Sequence, residues 1–308
     1  MKKKVLVVYG GASKERKISL KSGLACIKAL KKLGYKIKVF DPKKEHLDKL
    51  SKYKNYLIFN ALHGKGGEDG IAQSYFEFFK IPYTHSGIIS SISAMDKLIS
   101  KKIFLKNDII TPKYFDIDKS NLKVSSIFRL INKNHLNFPI VIKPINEGSS
   151  IGVKIIKNKQ NLKINLKKIV NKYEHVMIEQ FIPGQEIQVA VLADKALGAI
   201  ELKPKRNFYD YKAKYSKSAN TKHIMPANLN KNKYLKVCKI AEKAHRLLKC
   251  RGVTRSDFKY YKGKFFILEL NTQPGMTDLS LVPEIAKYKN ITFKKLVKKI
   301  ILDADINK

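Results

Sequence analysis

The sequence predicts an α/β protein whose first part is a parallel sheet covered by helices. Three observations predict this class. Short apolar runs alternate with segments of helical periodicity over the first 93 residues, as in parallel α/β sheets. A new alternation begins after Thr111-Pro112, which interrupts the chain. Glycine-rich stretches follow the first and third predicted strands, where ligands bind in open α/β sheets.

The elements of the first part follow the strand–helix–strand order that favours parallel pairing. They are a buried strand from Val5 to Tyr9, a helix from Leu20 to Leu33, a strand from Lys36 to Phe40 and a strand from Tyr56 to Leu62. Ser93 is predicted to cap a helix that runs through Met95 to Leu105, because a serine oxygen can accept a hydrogen bond from an N–H of the first turn.

The second part contains further strands, one long helix and one long polar segment. Strands are predicted from Phe138 to Ile142, from Val176 to Phe181, and as a pair from Glu186 to Leu192 and Ala199 to Leu202, and an amphipathic helix from Tyr234 to Leu248. The polar, Tyr-rich segment 205–222 lies between strand-like pieces. Long segments of this kind are usually lids or disordered loops.

The most informative stretch is a predicted hairpin with its turn near Gly263. In this hairpin Asp257 lies opposite Glu269, and Arg255 lies opposite Asn271. Two carboxylates and an amide oxygen are the hard ligands that suit Mg²⁺ held together with substrate phosphates. A slip of one residue would turn these side chains to the other face. The alternative is a surface hairpin with scattered charges, which we disfavour because Glu269 follows an apolar strand directly.

Two segments indicate a phosphate or nucleotide site. In the glycine loop, residues 147–153, small residues let backbone N–H groups approach an anion, and Lys143 upstream adds a positive charge suited to phosphate. Residues 179–186 read as strand, turn and strand, whose backbone could meet an adenine edge while Glu186 takes ribose hydroxyls. From these residues alone, a plain hairpin and an edge strand remain the favoured interpretations.

Two glycine-rich loops, 10–16 and 63–70, follow the first and third strands at the same sheet edge. Ordinary turn chemistry is the alternative for each loop, and His63 could be a histidine with purely structural partners. Because both loops lie at one edge, a shared pocket is the better interpretation.

Composition limits the remaining classes. The chain of 308 residues has a net charge of +38, a hydrophobic content of 44% and a mean hydropathy of -0.28. Nucleic-acid binding is the first class that such charge suggests. However, the lysines are spread along the chain, and arginine, which specific base readout favours, is scarce. The three cysteines show no paired or metal-like spacing, and no apolar run is long enough to span a bilayer, so we expect a cytoplasmic protein without specific nucleic-acid or membrane partners.

Several stretches, taken together and in order, resemble the D-alanine–D-alanine ligases, which belong to the ATP-grasp ligases. The resemblance runs over nearly the whole chain. It is carried by Gly10-Gly11-x-Ser13-x-Glu15-Arg16, His63-Gly64-x-x-Gly67-Glu68-Asp69-Gly70, Met95-Asp96-Lys97, Lys143-Pro144, Glu147-Gly148-Ser149-Ser150-x-Gly152, Phe208-Tyr209-Asp210-Tyr211-x-Ala213-Lys214-Tyr215, and Glu269-x-Asn271-Thr272-x-Pro274-Gly275-Met276-Thr277-x-x-Ser280-Leu281-Val282-Pro283.

The resemblance implies a three-domain ATP-grasp architecture with ATP held between the last two domains. A Rossmann-like substrate domain would cover residues 1–93, a central ATP-grasp subdomain 94–178, and a C-terminal subdomain with the metal site and a lid (205–222) residues 179–308. A homodimer is also implied.

The resemblance also implies the roles of individual residues. Contacts with ATP are implied for Lys97, Lys143, Glu179, Gln180, Ile182, Glu186, Phe208, Lys214 and Leu268. Two Mg²⁺ or Mn²⁺ ions would be held by Asp257, Glu269 and Asn271. The first D-alanine would be positioned by Glu15 and His63, and the carboxylate of the second by Ser280 and Leu281. Catalytic roles are implied for Glu15, Ser149 and Tyr215, which would form a hydrogen-bonded set, and for Arg255 and Gly275, which would stabilise an oxyanion.

Some positions depart from the common family pattern, but no charged ligand is lost. Gln180 stands where the family often has lysine, and Gln273 where serine is common. Thr254 and Ser256 replace the usual small and aliphatic neighbours of Arg255.

The implied activity is the ATP-dependent ligation of two D-alanines through an acyl phosphate, for peptidoglycan precursors. Tyr215 in the lid motif is associated with amide rather than ester products. The rival interpretations are another ATP-grasp carboxylate–amine ligase, which Tyr215 argues against, and a basic nucleic-acid-binding protein, which only the charge suggests.

Overall fold

The chain begins with the predicted parallel sheet. The computed structural model describes residues 4–121, 124–204, 221–277 and 279–306. Its first three strands, β1 (Lys4–Val8), β2 (Lys36–Phe40) and β3 (Leu57–Asn60), lie in the order β2-β1-β3, and β1 pairs in parallel with both neighbours. Alternate residues of β1 point to opposite faces. Val5 and Val7 therefore pack towards α1 (Arg16–Lys32), whereas Leu6 and Val8 pack in a second core with α2 (Ile71–Phe78).

A four-stranded antiparallel sheet forms the middle of the chain. It consists of β4 (Tyr114–Asp118), β5 (Ile140–Pro144), β6 (Lys154–Ile156) and β7 (His175–Gln180), in the order β4-β7-β5-β6. The helices α5 (Val124–Lys133) and α6 (Lys159–Tyr173) bury apolar side chains against it. Two further helices, α3 (Ile88–Met95) and α4 (Lys97–Lys106), precede this sheet.

A five-stranded antiparallel sheet completes the fold. Its strands are β8 (Gln185–Leu192), β9 (Lys195–Lys203), β10 (Lys222–Ile224), β11 (Val253–Tyr261) and β12 (Lys264–Asn271), in the order β10-β9-β8-β11-β12. One face packs against α7 (Lys231–Leu247). The other packs against α8 (Leu281–Tyr288) and α9 (Phe293–Leu302), in the same core as α1, so the first and last sheets are joined through shared apolar packing.

The structure corrects the prediction around Ser93. This residue lies inside α3, and the cap of the next helix is Asp96, whose Oδ1 accepts hydrogen bonds from the N–H groups of Leu98 and Ile99 at 2.8 and 3.0 Å. The sequence pattern had joined two helices, because the extended backbone at Asp96 leaves no apolar gap in the periodicity.

Other predicted bounds shift by a few residues. The first helix starts at Arg16 rather than Leu20, and the strand predicted from Ala199 starts at Lys195. Of the predicted lid, residues 205–220 lie outside the described part of the chain, and Lys222 already belongs to β10. The predicted domain limits at 93/94 and 178/179 fall within α3 and β7. No helix among the described residues combines the length and apolarity needed to cross a bilayer.

Candidate active site

The hairpin of β11 and β12 has the register that the sequence predicts at its functional end. Arg255 pairs with Asn271, and Asp257 pairs with Glu269. The register shifts between Asp257 and Phe258, because Phe258 pairs with Ile267 and Leu268 is the extra residue. This β-bulge was not predicted. It lets Leu268 and Glu269, neighbours in sequence, both line the same cleft, which regular alternation would forbid.

A cleft of about 750 Å³ lies between the two antiparallel sheets. We call it the larger cleft. All the described residues with an implied ATP contact line it, together with two of the three implied metal ligands: Lys97, Lys143, Glu179, Gln180, Ile182, Glu186, Leu268, Asp257 and Glu269. Residues that are far apart in the sequence, from Lys97 to Glu269, therefore converge on one cleft.

Ion pairs organise the charged side chains of the larger cleft. Lys143 Nζ lies 2.8 Å from Glu179 Oε1, and Lys259 Nζ lies 3.1 Å from Glu186 Oε2. Burial raises the pKa of Glu179, but the charges of Lys101 and Lys143 outweigh it, and the net effect lowers that pKa. The sequence analysis missed Lys101 and Lys259. A signal for Lys101 existed, because it follows Lys97 by four residues on one helix and so shares its face.

Lys97 supports the start of the glycine loop. Its Nζ donates to the carbonyl oxygens of Glu147 at 2.6 Å and of Ile145 at 3.3 Å. Glu269 Oε2 lies 3.9 Å from the same nitrogen. Lys97 thus connects the glycine loop with the hairpin. Gln180 is fixed differently, since its side-chain amide bonds to the backbone N–H and C=O of Asn137 at 2.8 and 3.0 Å.

A smaller cleft of about 510 Å³ adjoins the first and shares Lys97, Glu147 and Glu269 with it. Its lining also includes the predicted residues Glu15, Ser149, Arg255 and Asn271. The Ser149 hydroxyl donates to Glu15 Oε1, so two members of the implied hydrogen-bonded set are in contact. A Cβ at Gly64 or Gly148 would lie 2.7 or 2.9 Å from Glu15 Oε2, which explains why glycine occupies both positions.

The loop that carries Glu15 is held by a partly buried ion pair between Arg16 and Asp41. Asp41 accepts hydrogen bonds from Arg16 Nη1 at 2.9 Å and Nη2 at 2.7 Å, and from the N–H of Gly11 at 3.0 Å. Burial raises the pKa of Asp41, but the hydrogen bonds from Arg16, Lys43 and Gly11 outweigh it and lower that pKa to about 2.

His63 lies behind the smaller cleft rather than on its wall. Its Nδ1 is 3.1 Å from Glu68 Oε1, and its Nε2 is 3.1 Å from Ser22 Oγ. Glu68 does line the smaller cleft, so His63 and Glu68 reach it as a pair. Ser22 Oγ also accepts the N–H of Met276 at 3.1 Å and is buried, so this Ser–His–Glu set is not arranged for nucleophilic attack. The roles of Glu68 and Ser22 were not predicted.

The turn after Asn271 is tied to the first sheet. Asn271 Oδ1 accepts the N–H of Gln273 at 2.7 Å. The Gln273 side chain accepts from Asn60 Nδ2 at 2.8 Å and donates to the carbonyl oxygen of Leu62. This connection joins an implied metal ligand to the residue that precedes His63. It was not predicted, because nothing local relates positions 60 and 273.

The remaining predicted residues either do not line the two clefts or lie outside the described part of the chain. Ser280 Oγ accepts the N–H of Thr277 at 2.9 Å, and a Cβ at Gly275 would lie 2.8 Å from that oxygen. The Leu281 side chain packs in the core, so only its backbone can face a ligand. Phe208, Lys214 and Tyr215 lie outside the described residues.

The donor set of the hairpin fits a magnesium ion that shares its ligands with phosphate. Asp257 accepts a bidentate bond from Arg255, with Nε–Oδ1 and Nη2–Oδ2 distances of 2.7 and 3.1 Å. Each carboxylate oxygen keeps a second lone-pair direction for a cation. Within the described ranges, no group of three or more His, Cys, Asp and Glu side chains forms a metal site by itself. A set of two carboxylates and one amide suits an ion completed by phosphate oxygens.

Comparison with known proteins identifies the family. The protein-family model described as "D-ala D-ala ligase C-terminus" matches residues 103–302. The D-alanine–D-alanine ligase of Pelagibacter ubique (strain HTCC1062) is 55% identical over 308 residues, which is 100% of both chains. The chain belongs to the D-alanine–D-alanine ligase family.

Other members of the D-alanine–D-alanine ligase family agree with this assignment. The ligase of Wolbachia pipientis wMel is 44% identical over 306 residues, 97% of this chain and 94% of its own. The crystal structure of the Bacillus anthracis D-alanine–D-alanine ligase complexed with ATP superposes with a TM-score of 0.84 at 33% identity, covering 98% of this chain and 97% of that one. The predicted fold class and family are therefore confirmed.

Proposed function

We propose that this chain joins two D-alanines to D-alanyl-D-alanine, with hydrolysis of ATP to ADP and phosphate, in peptidoglycan precursor synthesis. The observation that carries the proposal is the convergence of the described ATP-contact residues on one cleft, next to a smaller cleft lined by Glu15, Ser149 and Arg255. The full-length similarity to D-alanine–D-alanine ligases supports it.

In the proposed mechanism, the carboxylate of the first D-alanine attacks the γ-phosphate of ATP in the larger cleft. Phosphoryl transfer depends on positioning and charge neutralisation rather than on covalent chemistry by the protein. Lys97, Lys143 and the glycine loop supply positive charge and N–H groups for this step. Asp257, Glu269 and Asn271 would hold Mg²⁺, which neutralises phosphate charge when bound.

In the second step, the amine of the second D-alanine attacks the carbonyl of the acyl phosphate, and the peptide bond forms as the C–O bond breaks and inorganic phosphate leaves. Negative charge develops on the carbonyl oxygen, and Arg255 together with the N–H of Gly275 would stabilise it. Ser280 and the backbone of Leu281 would receive the carboxylate of the second D-alanine. The acyl phosphate must be kept from water, which we assign to segment 205–222 with Lys214 and Tyr215. We propose that the reaction takes place in the cytoplasm, where ATP is available.

The deciding experiment is ADP release measured with and without D-alanine, with the dipeptide detected by mass. D-Alanine-dependent ADP release with D-alanyl-D-alanine as product is the expected result, and it should require Mg²⁺ or Mn²⁺. Equal turnover with L-alanine, or ADP release without dipeptide, would exclude the proposal. A panel of other amino acids as second substrate separates it from other carboxylate–amine ligases.

We also propose that the chain is divided into three domains close to the predicted limits, with the boundaries after α3 and after β7 rather than inside them.

We further propose that the chain forms a homodimer through the surface of α2 and α3. Phe78 and Ile89 on these helices are 79% and 65% exposed, and Ile71 and Ile92 are also exposed. Residues 81–96 contain no lysine or arginine, although 63 of the 308 residues are of these types. Two chains of charge +38 repel each other, so an uncharged apolar face is the surface on which a second copy can pack.

Light scattering of Ile89→Lys tests the dimer proposal, with Leu235→Lys on the exposed face of α7 as the matched control. A monomeric Ile89→Lys beside a dimeric control is expected. Identical masses for both variants and the wild type would refute this interface.

A further inference from the structure

A buried lysine lies beneath the larger cleft without lining it. Lys101, on α4, is wholly buried. Its Nζ donates a hydrogen bond to Thr111 Oγ1, lies 3.0 Å from Glu179 Oε2, and stands 5.1 Å from the centre of the Tyr114 ring. Removing a lysine ammonium from water is unfavourable, and an apolar side chain would fill this space without that penalty. Packing therefore does not account for the positive charge of Lys101 at this buried position.

The carboxylate of Glu179 is shared between two lysines. Its Oε2 faces Lys101, and its Oε1 lies 2.8 Å from the Nζ of Lys143, on the wall of the cleft. Lys143 and Glu179 alone would form a neutral pair. With Lys101 included, the group of three carries a net charge of +1, and the cation that faces the cleft is Lys143.

We propose that Lys101 is a positioning residue that offsets the negative charge of Glu179, so that Lys143 keeps its positive charge for the phosphate groups of the nucleotide. This inference rests on the proposed function, since it takes a nucleotide phosphate as the partner of Lys143. Burial lowers the pKa of Lys101 to about 8, against the opposing charge of Glu179, so the ammonium form prevails at neutral pH.

The proposal separates electrostatics from packing through the choice of ligand. Adenosine has the base and ribose of ATP but carries no phosphate, so the charge on Lys143 should not affect its affinity. The ratio of ATP affinity to adenosine affinity therefore reports the charge alone. A purely structural defect would weaken both ligands together.

The test is calorimetric binding of ATP and of adenosine to the full-length chain without D-alanine. We expect Lys101→Met to lower the ratio by about tenfold or more, because the negative charge of Glu179, no longer offset by Lys101, would then oppose the phosphate groups beside Lys143. Lys102→Met, at the exposed neighbouring position, is the matched control and should leave the ratio unchanged.

The double variant Lys101→Met/Glu179→Gln gives the decisive result. It removes the Glu179 carboxylate together with its buried partner Lys101. The negative charge of Glu179 then no longer offsets the positive charge of Lys143, so the ratio of ATP affinity to adenosine affinity should return to within a few-fold of the wild-type value. Glu179→Gln alone should raise the ratio above wild type, and it keeps the proposal testable if Lys101→Met does not fold. An unchanged ratio in Lys101→Met, or a double variant no better than the single one, would overturn the inference. Wild-type protein that binds no ATP would refute the proposed function instead.

Discussion

The connection between Gln273 and the first sheet gives a prediction whose size follows from its contacts. The Gln273 side chain is buried, accepts from Asn60 Nδ2 at 2.8 Å and donates to the Leu62 carbonyl. Gln273→Ala removes a hydrogen-bond partner from Asn60 Nδ2 and from the Leu62 carbonyl oxygen, in a site that is closed to water. An orphaned buried polar group costs about 1–3 kcal/mol, so the free energy of unfolding should fall by about 2–4 kcal/mol in total.

A thermal melt measures this loss. One kcal/mol shifts the melting temperature of chains near this size by about 2–4 °C, and Gln273→Ala should therefore lower it by roughly 4–16 °C. Gln185→Ala is the matched control, because that amide donates to the Asn228 carbonyl at 3.1 Å at an exposed site. The control should shift the melting temperature by only about a degree or two, since exposed substitutions usually change stability by less than about 0.5 kcal/mol.

A double-mutant cycle decides whether the two side chains act as a pair. Asn60→Ala and Gln273→Ala remove the two ends of one hydrogen bond, so their effects should be non-additive by about 1 kcal/mol. The Michaelis constant for D-alanine should rise in both single variants, because the connection lies between Asn271 and the His63 loop. Additive losses, or a Gln273→Ala melt that matches the control, would show that the contact contributes nothing to this coupling.

Three further predictions concern the ligands, the loop and the lid. Glu269→Gln should lower turnover by orders of magnitude with an unchanged melting temperature, because a metal-binding charge is lost while the shape persists; near-normal turnover would place the metal elsewhere. Asp41→Asn should lower stability at pH 7 by about 2 kcal/mol, because the wild-type Asp41 pKa is lowered to about 2 and the ionised form is bonded to Arg16. That difference should be complete above about pH 5 and should disappear as the pH falls through about 4 to 2, and a gap that persists at pH 2 would contradict it. Tyr215→Phe should keep ATP binding, lose dipeptide synthesis near neutral pH and gain ester formation with D-lactate, and a product ratio equal to wild type from pH 6 to roughly pH 9 would exclude this role.

The parts of the site that the sequence predicted correctly are those set by local pattern. The hairpin register around Asp257 and Glu269 follows from two apolar strands and a glycine turn that are close in sequence. The loops at the ends of β1 and β3 follow from the parallel order of strands and helices. The bulge at Leu268 escaped prediction because an extra residue in one strand leaves no compositional mark.

The residues that escaped prediction act over long distances in the chain. Lys101 reaches Glu179, and Asn60 reaches Gln273, across intervals that contain entire sheets. Each of these side chains is polar, although it lies at a buried position where packing alone would favour an apolar side chain. Such residues stand out only when the fold shows what they contact, since no periodicity relates them.

The net charge of +38 describes the outer surface of the molecule rather than its site. Lysines cover exposed faces of the helices, whereas the acidic side chains that line the two clefts outnumber the cationic ones there in the described part of the chain. The acidic residues that line the clefts are Glu15, Glu68, Glu147, Glu179, Glu186, Asp257 and Glu269.

A surface for nucleic acid would present the opposite arrangement, with cations gathered at the binding face. Attraction of this chain to polyanions should therefore be removed by modest salt and should not compete with ATP. Acidic clefts of this kind need cations to receive a triphosphate, and among the described residues the cations that line the two clefts are Lys97, Lys143, Lys259 and Arg255. That is why the charge state of a single buried lysine can influence nucleotide binding in a chain that carries so many.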